Sequence, residues 1–328
     1  MERTNIKSNI ISLFRLIRWK NLLFIPLTIL LMEKMIVVPI LNKAQYYEQL
    51  SNLTIILLII STTLIAAAGY IINDYFDIKI DNINRPDKLI ISRDISKNRA
   101  IIYYHIFNSI GIIIGLLTAF LCKSISLGII YIFIPGLLWF YSSSYKRQFI
   151  LGNLIISLLT AFVPFIVAIA NYDYLSYKFG ELISYTNIST DIYRWITYFS
   201  SMAFILTFIR EIIKDMEDRE GDMEYECHTI PIVLGDKKAK IITIILIILT
   251  IVFTLFFTYY LQNKYTLQRG IIIKYLIFGI VIPLLLEIYL VISAKIKSNY
   301  SYAQQLMKFI MLVGVLFSVV INLLITFN

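Results

Sequence analysis

Two short runs concentrate nine of the chain's 21 acidic residues: residues 73–81 read NDYFDIKID and residues 210–222 read REIIKDMEDREGD. Asp74, Asp77 and Asp81 have the same spacing as Asp215, Asp218 and Asp222, D-x-x-D-x-x-x-D in both. On a helix turning about 100° per residue, Asn73 and the first three aspartates fall within roughly 100° of arc, and Glu211 with the second three within roughly 60°. Each run therefore makes one acidic face. Carboxylates crowded at a helix C-terminus repel one another and meet the negative end of the helix dipole, so each face calls for positive charge against it. Solvated loop charges or pairing with nearby Lys and Arg would satisfy one such run. Two matched runs, six carboxylates with an amide oxygen, suit a hard divalent cation such as Mg²⁺, which takes oxygen ligands and commonly bridges carboxylates to phosphates.

The elements that carry these runs are apolar. The first run ends the stretch LTIILLIISTTLIAAAGYII, and the whole chain is 59% hydrophobic and only 16% charged, with a mean hydropathy of +0.77. That composition excludes a soluble globular domain and points to an all-α, polytopic membrane protein. Nine apolar stretches are long enough to span a bilayer or nearly so: 21–40, 53–72, 101–121, 127–141, 154–170, 195–213, 241–261, 271–293 and 306–327. The fourth is short, and Glu33 and Lys34 interrupt the first. Within residues 1–20, Ile6, Ile10, Leu13, Phe14 and Ile17 recur at helical spacing beside Lys7, Arg15 and Arg18, as in an amphipathic segment lying in the interface. No small-x-small site follows the first apolar run, so retention of the N-terminus is expected.

Charge sets the expected orientation. The loops on the N-terminal side of a nine-span topology collect 20 of the 30 Lys and Arg residues, which places the N-terminus and both acidic runs in the cytoplasm, at the cell's inner membrane. The net charge of +9 is then accounted for by anionic lipid headgroups, with no nucleic-acid partner. Cys122 and Cys227 fall on opposite sides, too far apart to pair, and His105 and His228 are isolated. One acidic run follows the second span and the other the sixth, which suggests a repeat of four-helix units inside a single domain, 1–328.

NDYFDIKID followed by Asn84, Arg85 and Pro86, together with DMEDREGD, resembles the paired aspartate motifs of the UbiA superfamily of intramembrane prenyltransferases. Further matches are Arg18 and Asn21 at the entry to the first span, Tyr141 and Ser142 followed by Lys146 and Arg147, Gly152 and Asn153, and Thr229, Pro231 and Gly235. His228 departs from the pattern, standing where a basic residue is more usual. The resemblance covers nearly the whole chain. It implies nine transmembrane helices around a central cavity, with the two motifs facing each other across its cytoplasmic mouth. The implied reaction joins a polyprenyl diphosphate to a lipid-phosphate or aromatic acceptor and releases diphosphate.

A charged head on a long apolar tail suits a polar mouth above a membrane-embedded groove. Two Mg²⁺ ions, one per motif, would neutralise the charge that develops as the carbon–oxygen bond breaks. Asp74, Asp77 and Asp81, with Asn73, are the expected ligands of one ion, and Asp215, Asp218 and Asp222 of the other. Arg85, Lys146 and Lys214 are candidates for the diphosphate oxygens, their alternative being ordinary positive-inside charge. The resemblance assigns Arg18, Asn21, Tyr141 and Ser142 to substrate contact. Glu211, an acid within a span, is a candidate for the acceptor site or a partner of Arg210 or Lys214. The run REIIKDMEDREGD is most similar to the digeranylgeranylglyceryl phosphate synthase branch, which uses a glycerol-phosphate lipid. A quinone-pathway aromatic acceptor is the alternative, and a divalent-cation transporter is the rival from another class.

Overall fold

In the computed structural model, which describes residues 10–264 and 269–326, the chain is almost entirely helical. Among the described residues nine helices are long and apolar enough to cross a membrane. They are α1 (Trp19–Lys43), α2 (Asn52–Phe76), α3 (Lys97–Leu121), α4 (Ile125–Ser143), α5 (Leu151–Phe179), α6 (Ile188–Glu217), α7 (Asp236–Phe257), α8 (Gly270–Ser293) and α9 (Lys297–Thr326). Each helix packs on the next, and α1 packs against both α2 and α9, so the bundle closes on itself. Contacts of α6 with α9 and of α1 with α5 cross the middle. Large apolar side chains such as Ile113, Phe133, Phe256 and Phe278 are exposed on the outer surface. That surface is stable in hydrocarbon, where the helices satisfy their own backbone groups.

Side-chain hydroxyls and one missing side chain set the α2–α3–α4 packing. Tyr131 in α4 hydrogen-bonds to Ser61 and Thr62 of α2 through its hydroxyl, at 2.8 and 3.0 Å. A Cβ on Gly115 of α3 would stand 2.4 Å from the Tyr131 ring, so the close approach there requires glycine.

The expected spans agree with the observed helices in number and position, with two instructive differences. The Glu33–Lys34 interruption does not end α1. Residues Met32–Val37 form a π-helical turn instead, and the fully buried Glu33 accepts a hydrogen bond at 2.7 Å from Asn171 of α5. That bond also explains why α5 runs nine residues past the expected end at 170. The polar tail Asn171–Asp173 is retained because its groups are paired, Asn171 with Glu33 and Asp173 with Ser124. The N-terminal segment differs as well. Leu16 and Ser12 are the buried residues of 10–16, Leu16 packing with Ala68, Ile71 and Tyr104, while Ile10 and Phe14 of the expected apolar stripe stay exposed beside Arg15. Ile6 of the stripe and Lys7 beside it lie outside the described residues. Cys122 and Cys227 are both free and buried.

Replacing Asn171 with Ala should remove the one hydrogen bond that the Glu33 side chain receives among the described residues and cost about 1–3 kcal/mol, the range for a buried acceptor left unsatisfied. Thermal unfolding in detergent should therefore fall for Asn171→Ala, and adding Glu33→Gln should recover part of the loss. Equal stability of Asn171→Ala and the parent would contradict the account.

Candidate active site

The two motifs adopt the same local backbone. α2 ends at Phe76, Asp77 caps it at φ −91°, ψ −1°, and a separate short helix, Ile78–Asn84, carries Asp81. α6 ends at Glu217, Asp218 caps it at φ −94°, ψ 7°, and the short helix Arg219–Glu224 carries Asp222. The single continuous acidic face expected from the sequence is thus corrected: each motif breaks at its central aspartate. Continuing the helix there would stack further carboxylates on its negative end, which the break relieves.

The short helices pack together and are fastened by one amide. Asn84, 7% exposed, donates from Nδ2 to the Asp218 carbonyl at 2.9 Å and accepts from the Gly221 backbone N–H at 2.9 Å. A Cβ on Gly221 would lie 2.6 Å from Asn84 Nδ2, so only glycine admits the clasp. Lys297 donates to the Asn84 carbonyl, tying in the start of α9. Asn84 belongs to the motif resemblance, but its clasping role was not legible in sequence. A polar amide beside an acidic run reads as one more loop residue until its partner is seen.

Protein cations hold much of the acidic mouth. Arg85 places Nη2 at 2.8 Å from both carboxylate oxygens of Asp218, crossing from one motif to the other. Lys146, on the turn Tyr145–Arg147 after α4, is 2.5 Å from Asp77 and 3.3 Å from the Asn73 amide oxygen. Arg18 has left-handed backbone angles, φ 52° and ψ 49°, and reaches Asp74 at 2.6 Å while lying over the Tyr70 ring. Asn153 of α5 donates to Asp215 at 2.8 Å, and Asn73 donates to Asp77 at 2.9 Å.

Asp81 and Asp222 are different. Among the described residues neither has a cation within ion-pair distance or a hydrogen bond to its side chain, whereas Asp215, which also lacks a cation, accepts from Asn153. Burial, with the charges of Asp77 and Asp74, pushes the Asp81 carboxyl up to about 6; burial, with the charge of Asp218, pushes Asp222 up to about 7. Each motif thus offers one half-buried carboxylate with neither a cation nor a hydrogen-bond donor paired to it, Asp81 in the first and Asp222 in the second. No group of three acidic, His or Cys side chains converges tightly enough to hold a metal by itself among the described residues. The donor chemistry nevertheless fits a hard cation shared with a ligand: anionic oxygens from two helices, clasped into one mouth, with Asp81, Asp215 and Asp222 uncompensated by any cation among the described residues.

Beside the mouth opens a cavity of about 320 Å³ lined by α1, α2, α4, α5, α6, α8 and α9. Arg18, Asn21, Tyr70, Asn73, Tyr141, Lys214 and Glu211 form its polar end, and Tyr131, Tyr198, Phe199, Ile280 and Phe317 lie among its apolar walls. Along α6 the lining runs from Lys214 to Tyr198, roughly 24 Å of helix. Of the sequence-predicted substrate residues, Arg18, Asn21, Tyr141, Glu211 and Lys214 line the cavity, whereas Arg85 and Lys146 stand on the motif carboxylates outside it. Ser142 is fully buried with Oγ unpartnered and is not a lining residue. Glu211 receives hydrogen bonds from Arg210 at 2.7 Å and Lys214 at 3.5 Å. The His228 side chain is exposed, and its backbone N–H donates to the Arg147 carbonyl. Lys308 of α9, which lines the same polar end, was passed over in the sequence although a cation inside an apolar span was the signal for it.

Comparison with known proteins gives a consistent result. The model of the UbiA prenyltransferase family matches residues 43–321. The digeranylgeranylglyceryl phosphate synthase of Methanosphaera stadtmanae is 31% identical over 266 residues, covering 80% of this chain and 86% of the relative. That of Methanobrevibacter smithii is 34% identical over 198 residues, 60% of this chain and 64% of the relative. Among solved structures, one described as digeranylgeranylglyceryl phosphate synthase superposes with a TM-score of 0.60 at 23% identity, covering 98% of this chain and 99% of the other. A UbiA homologue from Archaeoglobus fulgidus bound to GPP and Mg²⁺ superposes with a TM-score of 0.55 at 14% identity, covering 94% of this chain and 99% of the other. At these identities the structural likeness speaks for the fold.

A carboxyl raised above its unfolded value near 3.9 adds stability at low pH that is lost as pH rises through its folded value. In the presence of chelator, Tm should therefore fall between about pH 4 and pH 7 as Asp81 and Asp222 ionise, and Asp222→Asn should flatten the upper part of that fall. A Tm that is level or rising over this range in the parent would contradict the assignment. Gly221→Ala should separate the short helices and lower both Tm and activity; an unaltered Gly221→Ala would remove the clasp from the account.

Proposed function

The chain belongs to the UbiA prenyltransferase family and is an integral membrane prenyltransferase; from that premise we propose that it transfers a geranylgeranyl group from its diphosphate to the free hydroxyl of a geranylgeranylglyceryl phosphate lipid. The observation that carries this reading is the joining of a clasped, two-motif anionic mouth to a deep apolar cavity. The head of an allylic diphosphate matches the mouth, and its tail matches the cavity. The curated relatives' name supports the glycerol-phosphate acceptor over an aromatic one.

In this reading Asp81 and Asp222, with Asp74, Asp77, Asp215 and Asp218 around them and Asn73 as a neutral donor, hold Mg²⁺ together with the diphosphate. Bound there, the divalent ion supplies Lewis-acid neutralisation of the leaving diphosphate. Arg85, Lys146 and Lys214 stand close enough to the motifs to turn toward diphosphate oxygens. As the carbon–oxygen bond breaks, its electron pair leaves with diphosphate. The allylic carbon, kept from water by the apolar walls, is taken by the acceptor's hydroxyl oxygen, which gives up its proton. Arg18 anchors Asp74 and the cavity rim at once, and Glu211 keeps Arg210 and Lys214 in place. The matched break geometry at Asp77 and Asp218 supports reading α1–α4 and α5–α8 as related halves of one domain. Positive loop charge supports a cytoplasmic mouth. Cysteine at the exposed Glu224 should then be labelled from the cytoplasm and cysteine at Tyr177 from outside.

If both motifs act on one diphosphate, their losses will not add. Asp74→Ala, Asp215→Ala and the double variant should each lower diphosphate release by about 100-fold or more, the double variant little beyond either single one. The assay uses purified protein, Mg²⁺, labelled geranylgeranyl diphosphate and a panel of glycerol-phosphate lipid and aromatic acceptors. Full activity in either single variant, or product only on an aromatic acceptor, would overturn the proposal.

A further inference from the structure

Below the aspartates the cavity carries more positive charge than its own carboxylates balance. Arg18, Arg210, Lys214 and Lys308 all line its polar end, and Glu211 is the acid that lines it with them. Arg18 is matched by Asp74, and the single Glu211 carboxylate is shared by Arg210 and Lys214. Lys308 has no carboxylate within ion-pair distance among the described residues. Its ammonium donates at 3.4 Å to the amide oxygen of Asn21, itself a lining residue. Arg210 keeps its buried Nε without a hydrogen-bond partner. Uncompensated cations inside an apolar bundle are costly, and they persist where a ligand supplies the missing negative charge.

Position says which ligand. Gln304 of α9 reaches Glu217 at the end of α6, so that level is the mouth. Lys308 lies four residues further along α9, and Arg210 seven residues before Glu217 on α6, roughly 6 and 10 Å inward. The donor's diphosphate is already served at the mouth by both motifs, Arg85 and Lys146. An acceptor that attacks the allylic carbon from the cavity side presents its own head group at the inner level, where Lys308, Arg210 and Asn21 converge from three helices.

We propose that Lys308 and Arg210, with the Asn21 amide, form a phosphate-monoester subsite that selects an acceptor lipid bearing a phosphate. The subsite rests on the prenyl-transfer reading above but is distinct from the diphosphate site. The Lys308 ammonium and the free Nε of Arg210 match the doubly charged head of a glyceryl phosphate, and an uncharged acceptor would leave Lys308 without a counter-charge and Arg210 with only the Glu211 carboxylate that it shares. The sequence places the same three residues on the entry to α1, late in α6 and early in α9, so the subsite exists only in the folded bundle.

The test compares geranylgeranylglyceryl phosphate with the same lipid lacking its phosphate. In purified protein with Mg²⁺ and geranylgeranyl diphosphate, the parent should prefer the phosphorylated acceptor by about 100-fold or more in kcat/KM, the scale expected when a buried charge is left unpaired. Lys308→Met and Arg210→Gln should each raise KM for the phosphorylated acceptor and shrink that preference by about 10-fold, while KM for the donor changes less than about 2-fold. Lys308→Arg should keep most of the preference. Without donor, the phosphorylated lipid should raise Tm of the parent more than the alcohol does, and the two lipids should act alike on Lys308→Met. A preference unchanged in both variants, or a donor KM that rises as much as the acceptor KM, would overturn the subsite. Absence of turnover with every lipid acceptor would sink the prenyl-transfer reading instead, and equal Tm shifts by the two lipids would refute the subsite in that case as well.

Discussion

The structure depends on one electrostatic constraint: carboxylates from two distant stretches of chain must be held side by side at the edge of an apolar bundle. Left alone they would repel. The protein answers with a neutral clasp, Asn84 on the Asp218 carbonyl and the Gly221 N–H, and with cations that cross between elements, Arg85 to Asp218, Lys146 to Asp77 and Arg18 to Asp74. None of these partners lies in the same element as the carboxylate or backbone group it binds. The mouth is therefore assembled by the tertiary fold rather than by either motif.

That constraint explains features that would otherwise be liabilities. The breaks at Asp77 and Asp218 put the last aspartate of each motif on a short helix of its own, away from the dipole of the long span. Arg18 tolerates a left-handed backbone because its guanidinium serves both Asp74 and the Tyr70 ring. The bundle treats its internal polar groups in the same manner. Glu33 survives in α1 because Asn171 meets it, and a π-helical turn adjusts the backbone around it.

Much of this was legible in the sequence. Nine apolar stretches gave the span count, since twenty apolar residues in a row have few other uses, and two equally spaced aspartate runs gave the mouth. Less legible was everything decided by a partner far along the chain. Nothing local separates Asn84 from a loop asparagine, or predicts that Asn171 extends α5 by pairing with Glu33 138 positions away. The continuous acidic faces were an idealisation of helix geometry that charge repulsion undoes. Lys308 carried a signal, a cation within an apolar span, whose meaning depended on Asn21 and Arg210 converging on the same cavity.

The central claim is that both motifs act on a single bound head group at the mouth of one cavity. Its most direct test is a structure of the protein in lipid nanodiscs with Mn²⁺ and the unreactive thiodiphosphate analogue of geranylgeranyl diphosphate. The account predicts metal density touching carboxylates of both motifs, Asp81 and Asp222 included, with the diphosphate between them and the prenyl chain running along α6 toward Tyr198. Metal confined to one motif, or a prenyl chain lying outside the cavity, would contradict it.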